Sequence, residues 1–209
     1  MNRHPDSDLN ARFVTGAVDV TGFPTTGFPE IAFAGRSNVG KSSLLNRLLN
    51  RKTLARVSRT PGRTREINFF SVGQRWMFVD LPGYGYAKVA RDQRRSWDRV
   101  MDHYLGQRPV LRAVVLLLDV RRGITDMDRE LMSLMADKGI AWLPVATKID
   151  KLKANPRRQA LGKLEEMVTR IPGYGMPPVV AVSSLTDDGM DVLWRRLKEL
   201  LDPPSKEEG

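Results

Sequence analysis

The amino-acid sequence predicts one α/β domain, with a mostly parallel six-stranded sheet, one antiparallel edge strand and helices on both faces. Strand-like and helix-like segments alternate along almost the whole chain, which is typical of parallel sheets with crossover helices. Residues 113–118 form a continuous apolar run, as expected for a strand buried on both faces. The apolar residues 31–34 lead into a glycine-containing loop and then a helix-like stretch, which predicts a strand, a loop and a helix in that order.

The local patterns place each element. We predict strands at residues 31–34, 67–72, 75–80, 113–119, 142–146 and 179–182, and helices at residues 43–49, 91–105, 126–138, 156–170 and 190–201. Gly73 and Gln74 separate the second and third strands, which predicts a hairpin. Residues 1–28 are interpreted as an N-terminal arm, residues 29–202 as the domain itself and residues 203–209 as a disordered tail.

Composition limits the classes of function. The chain of 209 residues has no cysteine, so disulfides and thiolate metal sites are excluded. Its longest apolar run is too short to cross a bilayer, and its first residues lack the apolar core of a signal peptide, so we expect a cytoplasmic protein with no membrane partner. A formal charge of +10 favours polyanionic partners such as nucleic acid, although basic residues that merely solvate the surface would give the same charge.

Residues 35–42 carry the most informative motif, Gly-Arg-Ser-Asn-Val-Gly-Lys-Ser, which matches the pattern G-x-x-x-x-G-K-[ST]. The backbone N–H groups of such a loop, together with the N-terminus of the following helix, can surround the phosphates of a nucleotide. Lys41 is expected to reach the β- and γ-phosphates, and the Ser42 hydroxyl is expected to ligate Mg²⁺. The alternative is a strand-to-helix turn that binds nothing.

Three further motifs each follow a predicted strand or precede one. Asp80-Leu81-Pro82-Gly83 could hold the Mg²⁺ shell through Asp80 and donate the Gly83 N–H to a γ-phosphate. In residues 147–150, the Asp150 carboxylate could accept two N–H bonds from guanine, and the Lys148 stem could lie along the base. Thr60 and Thr64 are the candidates for sensing the γ-phosphate, and we choose Thr64.

A backbone N–H in residues 182–184 could bind the guanine carbonyl oxygen. Taken singly, the motifs at residues 80–83, 147–150 and 182–184 are weak signals, because small polar residues and aspartates are common in ordinary turns. Their fixed order along the chain after a phosphate-binding loop is what favours a GTPase. A P-loop ATPase or kinase is the first alternative, and residues 147–150 argue against it.

The chain resembles the TRAFAC-class GTPases and, within them, the EngB (also called YihA or YsxC) family of ribosome-assembly GTPases. The segments GRSNVGKSSLLN, TPGRTRE, DLPGYGYA and TKID carry the resemblance, which covers roughly residues 29–202. It implies a P-loop GTPase fold (G domain) and hydrolysis of GTP to GDP and phosphate. It also implies a molecular switch in assembly of the bacterial large (50S) ribosomal subunit, needed for normal cell division and septation.

The same resemblance implies a set of binding residues. GTP or GDP is expected at Gly35, Arg36, Ser37, Asn38, Val39, Gly40, Lys41, Ser42, Gly62, Arg63, Thr64, Arg65, Glu66, Asp80, Leu81, Pro82, Gly83, Thr147, Lys148, Ile149, Asp150, Val182, Ser183 and Ser184. Lys41, Thr64 and Gly83 are the expected catalytic residues, and Ser42 and Thr64 are the expected Mg²⁺ ligands. The implied partner is the large ribosomal subunit or its precursor, including rRNA and ribosomal proteins. We expect a monomer, because no long apolar patch or heptad repeat suggests a dimer.

Two residues depart from the common GTPase pattern. Thr147 stands where Asn is usual. Its side chain is shorter, but its hydroxyl can still form a hydrogen bond that joins residues 147–150 to the phosphate-binding loop. Tyr84 stands where Ras-like proteins carry a glutamine that orients water, a task for which tyrosine is unsuited. We therefore expect slow intrinsic hydrolysis that the ribosomal particle accelerates. Tyr84 also keeps open a scaffold role in division, in which the nucleotide only stabilises the fold.

Basic residues suggest where RNA could bind. The first candidate is the predicted helix at residues 91–105, in which Arg91, Arg94, Arg95 and Arg99 lie at helical spacing, with Trp97 and Tyr104 nearby. A solvated basic helix is the equally weighted alternative. The pairs Arg121-Arg122 and Arg157-Arg158 are weaker candidates.

Overall fold

The computed structural model describes residues 10–51, 66–85, 91–171 and 178–202, with the backbone alone for residues 91–98. Its strands are β1 (Arg12–Ala17), β2 (Glu30–Gly35), β3 (Ile67–Val72), β4 (Trp76–Asp80), β5 (Leu111–Asp119), β6 (Trp142–Thr147) and β7 (Val180–Ala181). Its helices are α1 (Lys41–Leu48), α2 (Arg91–Gln107), α3 (Asp126–Asp137), α4 (Ala154–Thr169) and α5 (Met190–Leu201). Within these described ranges, no helix is both long and apolar enough to cross a membrane.

The described strands form one sheet in the order β1-β3-β4-β2-β5-β6-β7. It has seven strands, not the six predicted, because residues 12–17 of the predicted N-terminal arm form β1. Among the described strands, β3 alone runs in the direction opposite to the other six. The antiparallel strand is therefore not at the edge as predicted, since β1 pairs with its outer side, from Arg12 opposite Ser71 to Ala17 opposite Ile67.

The predicted hairpin between β3 and β4 is confirmed. Val72 pairs with Trp76, so residues 73–75 connect the strands, and Gly73 and Gln74 in this connection have positive φ angles of 60° and 55°. This turn sets the register of the two strands, and Phe70 lies opposite Phe78. As a consequence, β4 returns parallel to β2 and ends with Asp80 beside Phe33.

Helices cover both faces of the sheet, as the sequence predicts. In β2, Ile31 and Phe33 belong to the core beneath α1 and α5, whereas Ala32 and Ala34 belong to the core beneath α2, α3 and α4. This alternation follows from the two-residue period of a strand, and every residue of β2 is buried. With apolar side chains on both faces, β2 and β5 pair in parallel at the centre of the sheet.

A buried polar cluster lies at the amino edge of the sheet, where β2 begins. The Glu30 carboxylate is fully buried and accepts from Arg108 (Nη2 to Oε1, 2.6 Å; Nε to Oε2, 3.1 Å) and from the Tyr104 hydroxyl (3.0 Å). Arg108 also donates to the carbonyl of Pro24 at 2.7 Å. Burial, and next the Glu30 carboxylate, raise the pKa of Tyr104 well above its usual range, so its hydroxyl stays a donor. The cluster fastens the end of α2 to the start of β2.

Candidate functional site

The loop between β2 and α1 folds back over the start of the helix. Gly35 closes β2 at a point where a Cβ would lie 2.9 Å from Val39 Cγ1 and 3.0 Å from the Leu117 carbonyl oxygen. Gly40 has a φ of 108°, in the region that favours glycine, and α1 begins at the next residue. The N-terminus of α1 therefore faces the space enclosed by the loop.

The segment after β4 packs against this loop. The Lys41 ammonium donates to the Asp80 carboxylate, and both side chains are about nine-tenths buried, at 11% and 9% exposure. At Gly83, a Cβ would come within 3.0 Å of the Ser37 hydroxyl oxygen, and the Ser37 N–H donates to the Tyr84 carbonyl at 2.9 Å. Lys41 and Asp80 are 39 positions apart in the sequence. Their bond joins residues 35–42 and 80–83 into one side of a common site.

Thr147 joins the end of β6 to the phosphate-binding loop. Its hydroxyl is buried and donates to the Val39 carbonyl at 2.7 Å, with the Leu118 carbonyl at 3.3 Å as a second acceptor. The bond that we expected from a threonine at this position is present. The shorter side chain reaches Val39 because β6, β5 and β2 are adjacent strands that end at the same edge of the sheet.

Lys148 crosses the outer side of the loop, held at its ammonium end. Its Nζ donates to the Asn38 carbonyl and lies 3.1 Å from Asp119 Oδ2, and its backbone φ is 61°. Arg121 binds the same Asp119 carboxylate through Nε (2.9 Å) and Nη2 (2.7 Å). Burial opposes ionisation of Asp119, but the hydrogen bonds from Arg121 and Lys148 outweigh it and hold the pKa well below its usual range.

Sequence reasoning missed Asp119 as a residue of this site. The signal that could have revealed it is its position directly after the longest apolar run, at the carboxyl end of a central parallel strand. An ionised carboxylate there fixes the Lys148 ammonium, so the aliphatic stem of Lys148 is left to line the site.

Asp150 and Ser183 meet at the side of the site furthest from Asp80. The buried Ser183 hydroxyl donates to Asp150 Oδ1 at 2.8 Å and accepts from the N–H groups of Leu185 and Thr186, both at 3.2 Å. The hydrogen bond from Ser183 lowers the pKa of Asp150, and Lys151 acts in the same direction. Asp150 is therefore an ionised acceptor with a fixed orientation at neutral pH.

Some predicted site residues lie elsewhere or outside the described part of the chain. Thr60, Gly62, Arg63, Thr64 and Arg65 are outside the described residues. Glu66 is described: it is exposed, and its carboxylate lies beside β1, where a Cβ on Gly16 would be 2.6 Å from Oε2.

The side chain of Tyr84 is directed towards α3. Its hydroxyl donates to Asp128 Oδ1 at 2.6 Å, while Asp128 Oδ2 accepts from the Thr125 N–H (2.8 Å) and hydroxyl (2.6 Å). Burial and the Asp128 charge raise the pKa of Tyr84, so its hydroxyl remains a donor to that carboxylate.

Tyr104, suggested above as an RNA contact, is fully buried in the Glu30 cluster, so that suggestion is wrong for this residue. Of the basic side chains in the same helix, Arg99 is exposed, whereas those of Arg91, Arg94 and Arg95 are outside the description, as is Trp97. The structure therefore leaves the predicted RNA-binding role of α2 as a prediction.

The fold and the loops at its carboxyl edge define a P-loop GTPase, and residues 30–148 match the family model described as 50S ribosome-binding GTPase. The chain is 40% identical over 191 residues to the probable GTP-binding protein EngB of Desulfitobacterium hafniense (strain DSM 10664 / DCB-2), covering 91% of this chain and 94% of the relative. It is 48% identical over 170 residues to that of Gemmatimonas aurantiaca, covering 81% of each. The chain belongs to the EngB family of GTP-binding proteins.

A solved structure agrees with this assignment. The crystal structure of a probable GTP-binding protein EngB superposes with a TM-score of 0.63 at 25% identity, covering 82% of this chain and 98% of that one. The similarity therefore extends over nearly the whole of that relative.

Proposed function

We propose that this GTPase acts as a molecular switch in assembly of the large (50S) ribosomal subunit, in the cytoplasm, and that cell division and septation depend on it. The observation that carries the proposal is the convergence of four separate loops on one site. Thr147 is bonded to Val39, Lys148 to Asn38 and Asp119, Asp150 to Ser183, and Lys41 to Asp80. A site assembled in this way suits a ligand that has a base at one end and phosphates at the other.

Guanine recognition is assigned to the Asp150 side. An ionised carboxylate held by Ser183 accepts the ring N–H and the exocyclic amine of guanine, a donor pair that adenine lacks. The stem of Lys148 lies along the base, and a backbone N–H within residues 182–184, which include Val182 and Ser184, binds the guanine carbonyl oxygen. An adenine in this position leaves Asp150 without partners, and such unpaired polar groups produce large discrimination factors.

Phosphate binding is assigned to residues 35–42. The Lys41 ammonium, which Asp80 orients, gains phosphate oxygens as acceptors, and the Gly83 N–H reaches the γ-phosphate. Gly62, Arg63, Thr64 and Arg65 complete this side, with Thr64 sensing the γ-phosphate. Lys41, Thr64 and Gly83 are the proposed catalytic residues because each contacts the group that is transferred.

The residues on this side fit Mg²⁺. Its preferred ligands are oxygens, and it commonly keeps waters and nucleotide phosphates beside one or two protein groups. Ser42 follows Lys41 at the start of α1, and Asp80 is bonded to that lysine, so a hydroxyl and a carboxylate both lie near the phosphate-binding loop. Across the described ranges, no cluster of three acidic, histidine or cysteine side chains could hold the ion without the nucleotide. Ser42 and Thr64 would hold the ion, which supplies charge neutralisation to the phosphates.

Intrinsic hydrolysis is expected to be slow. The Tyr84 hydroxyl is engaged with Asp128, so the residue in the glutamine position does not orient water for attack. Activation then requires a partner, which we take to be the ribosomal particle, with its rRNA and ribosomal proteins, acting on a monomer.

The test is GTP turnover by the full chain, with and without purified large subunits, using the Asp150→Asn variant as the matched control. We expect slow turnover by the chain alone, marked acceleration by the particle and neither in the variant at the same nucleotide concentration. Fast turnover by the chain alone contradicts the proposal that Tyr84, in the glutamine position, makes intrinsic hydrolysis slow. Tight binding of guanine nucleotides with no turnover under any condition favours the scaffold role instead.

A further inference from the structure

A cleft of about 360 Å³ lies on the flank of the phosphate-binding loop that faces α3. It is bounded by the loop itself, by the turn between β5 and α3, and by the first turn of α3. The polar side chains that matter for its chemistry are those of Arg36, Asn38, Arg121, Arg122, Thr125 and Lys148. The cleft adjoins the proposed nucleotide site and shares residues 36–39 and Lys148 with it, whereas Lys41, Ser42, Asp80, Asp150 and Ser183 do not line it.

Cations in this cleft outnumber carboxylates two to one. Four basic side chains line it, against only Asp119 and Asp128. Asp119 is already bonded to Arg121 and Lys148, and Asp128 accepts three hydrogen bonds from Tyr84 and Thr125. Both acids therefore have their partners within the protein, and the charge that remains for a ligand is positive.

The Arg121 side chain is held by Asp119 in an orientation that suits phosphate binding. Its bonds to Asp119 use one hydrogen each of Nε and Nη2, which leaves both hydrogens of Nη1 and one of Nη2 as donors for an external acceptor. The side chain is 41% exposed although it is anchored at one edge. Because the carboxylate fixes the plane of the guanidinium, less rotamer freedom is lost when a phosphate oxygen binds to the other edge. Arg122, the next residue, is exposed beside it.

We propose that this cleft binds the backbone phosphates of RNA, and that it forms part of the contact with ribosomal RNA; this rests on the proposed function. Planar guanidinium groups suit phosphate oxygens, and a lining of arginine, lysine, asparagine and threonine suits a phosphate and ribose better than an apolar peptide. The net charge of +10 supports the same class of partner.

The structure also separates two arginine pairs that look equivalent in the sequence. Arg121 and Arg122 line the cleft, whereas Arg157 and Arg158 lie on α4 and are not part of its lining. Replacing either pair by glutamine removes the same charge from the chain. The second pair is therefore a matched control for effects that depend on net charge alone.

The experiment measures binding of a fluorescein-labelled RNA hairpin to the GDP-saturated full chain by anisotropy, across a series of KCl concentrations. We expect R121Q/R122Q to weaken binding about tenfold at low salt and to reduce the salt slope by about one to two phosphate contacts. R157Q/R158Q should change the RNA affinity and the salt slope far less. Arg122→Gln alone, which leaves Asp119 and Lys148 bonded as they are, should give a smaller loss in the same direction.

Three results overturn the proposal. The first is an unchanged affinity in R121Q/R122Q, and the second is an equal loss in the two double variants, which shows an effect of net charge. The third is that R121Q/R122Q loses binding of inorganic phosphate, measured by calorimetry, but keeps its RNA affinity, which shows a site for small anions. Guanine-selective binding is measured in the same samples, so failure of this proposal is distinguishable from failure of the nucleotide site.

Discussion

The two edges of the sheet carry similar polar chemistry for different purposes. At the amino edge, Arg108 binds Glu30 through two nitrogens and Tyr104 donates its hydroxyl to the same carboxylate. At the carboxyl edge, Arg121 binds Asp119 through two nitrogens, and Tyr84 donates its hydroxyl to Asp128. The residue types match, but the amino-edge arginine is 14% exposed and the carboxyl-edge arginine is 41% exposed.

This difference in exposure separates a structural cluster from a functional one. Glu30 is fully buried, and Arg108 also satisfies the Pro24 carbonyl, so this cluster is directed inward. Asp119 instead fixes two cationic side chains that face a cleft and a loop. We infer a ligand-binding role for Arg121 and not for Arg108, because Arg121 is the more exposed of the two at 41% against 14%.

The largest expected effect is on nucleotide choice at the carboxyl edge. Asp150→Asn should lower the affinity for GTP and GDP on the order of 10⁴-fold, because an amide cannot accept both guanine donors. Competition binding with Mg²⁺ measures this effect. Xanthine nucleotides, which carry a carbonyl in place of the exocyclic amine, should recover affinity in the variant, and an unchanged preference for guanine would refute the assigned role.

A substitution in the amino-edge cluster should lower the free energy of unfolding and leave nucleotide binding unchanged. Arg108→Ala leaves the Glu30 carboxylate buried without its ion-pair partner, which should cost about 3–5 kcal/mol of unfolding free energy. Urea denaturation measures the loss, and the exposed Arg158→Ala serves as the control. If guanine selectivity fell together with stability, the two edges would not be separate in function.

A smaller effect is expected where the two halves of the nucleotide site are joined. Thr147→Ala leaves the Val39 carbonyl without its hydroxyl donor in a buried position, which should cost about 1–3 kcal/mol. The dissociation rate of GDP should rise in the same variant. Thr147→Ser keeps the hydroxyl and should restore most of both properties; equal losses in the two variants would point to the methyl group instead.

The smallest expected effect is that of the carboxyl-edge tyrosine. Tyr84→Phe removes one of three hydrogen bonds to Asp128, which should cost about 1.5 kcal/mol of stability. Thermal unfolding and single-turnover GTP hydrolysis are measured together. We expect the hydrolysis rate to be unchanged, and a large fall in that rate would show that the hydroxyl takes part in the reaction.

The elements that could be predicted are those whose signal is local. Helix α5 was predicted at its observed bounds, Met190–Leu201, because its apolar residues repeat at helical spacing after Gly189. Strand β1 was missed because residues 12–17 mix apolar and polar types, and their strand exists through pairing with β3. Local pattern carries no information about a partner 50 to 59 positions away.

The same distinction holds for the candidate site. Lys41, Asp80, Thr147 and Asp150 lie in short contiguous motifs, so their residue types and order were enough to propose them. The bonds from Tyr84 to Asp128 and from Arg108 to Glu30 join residues 44 and 78 positions apart, and no motif links them. Their roles depend on which side chains the topology brings together, and only the three-dimensional arrangement shows that.

Strand β1 has a practical consequence for producing this protein. A version trimmed to begin at residue 29, the boundary that the motifs suggest, would lose β1 and the edge-on contact of Phe13 with Phe70, whose ring centroids are 5.7 Å apart. The outer side of β3 would then present a row of free backbone donors and acceptors beside aromatic residues, a surface on which chains pair with one another. We expect such a trimmed protein to aggregate, and a poor yield would then say nothing about its affinity for GTP.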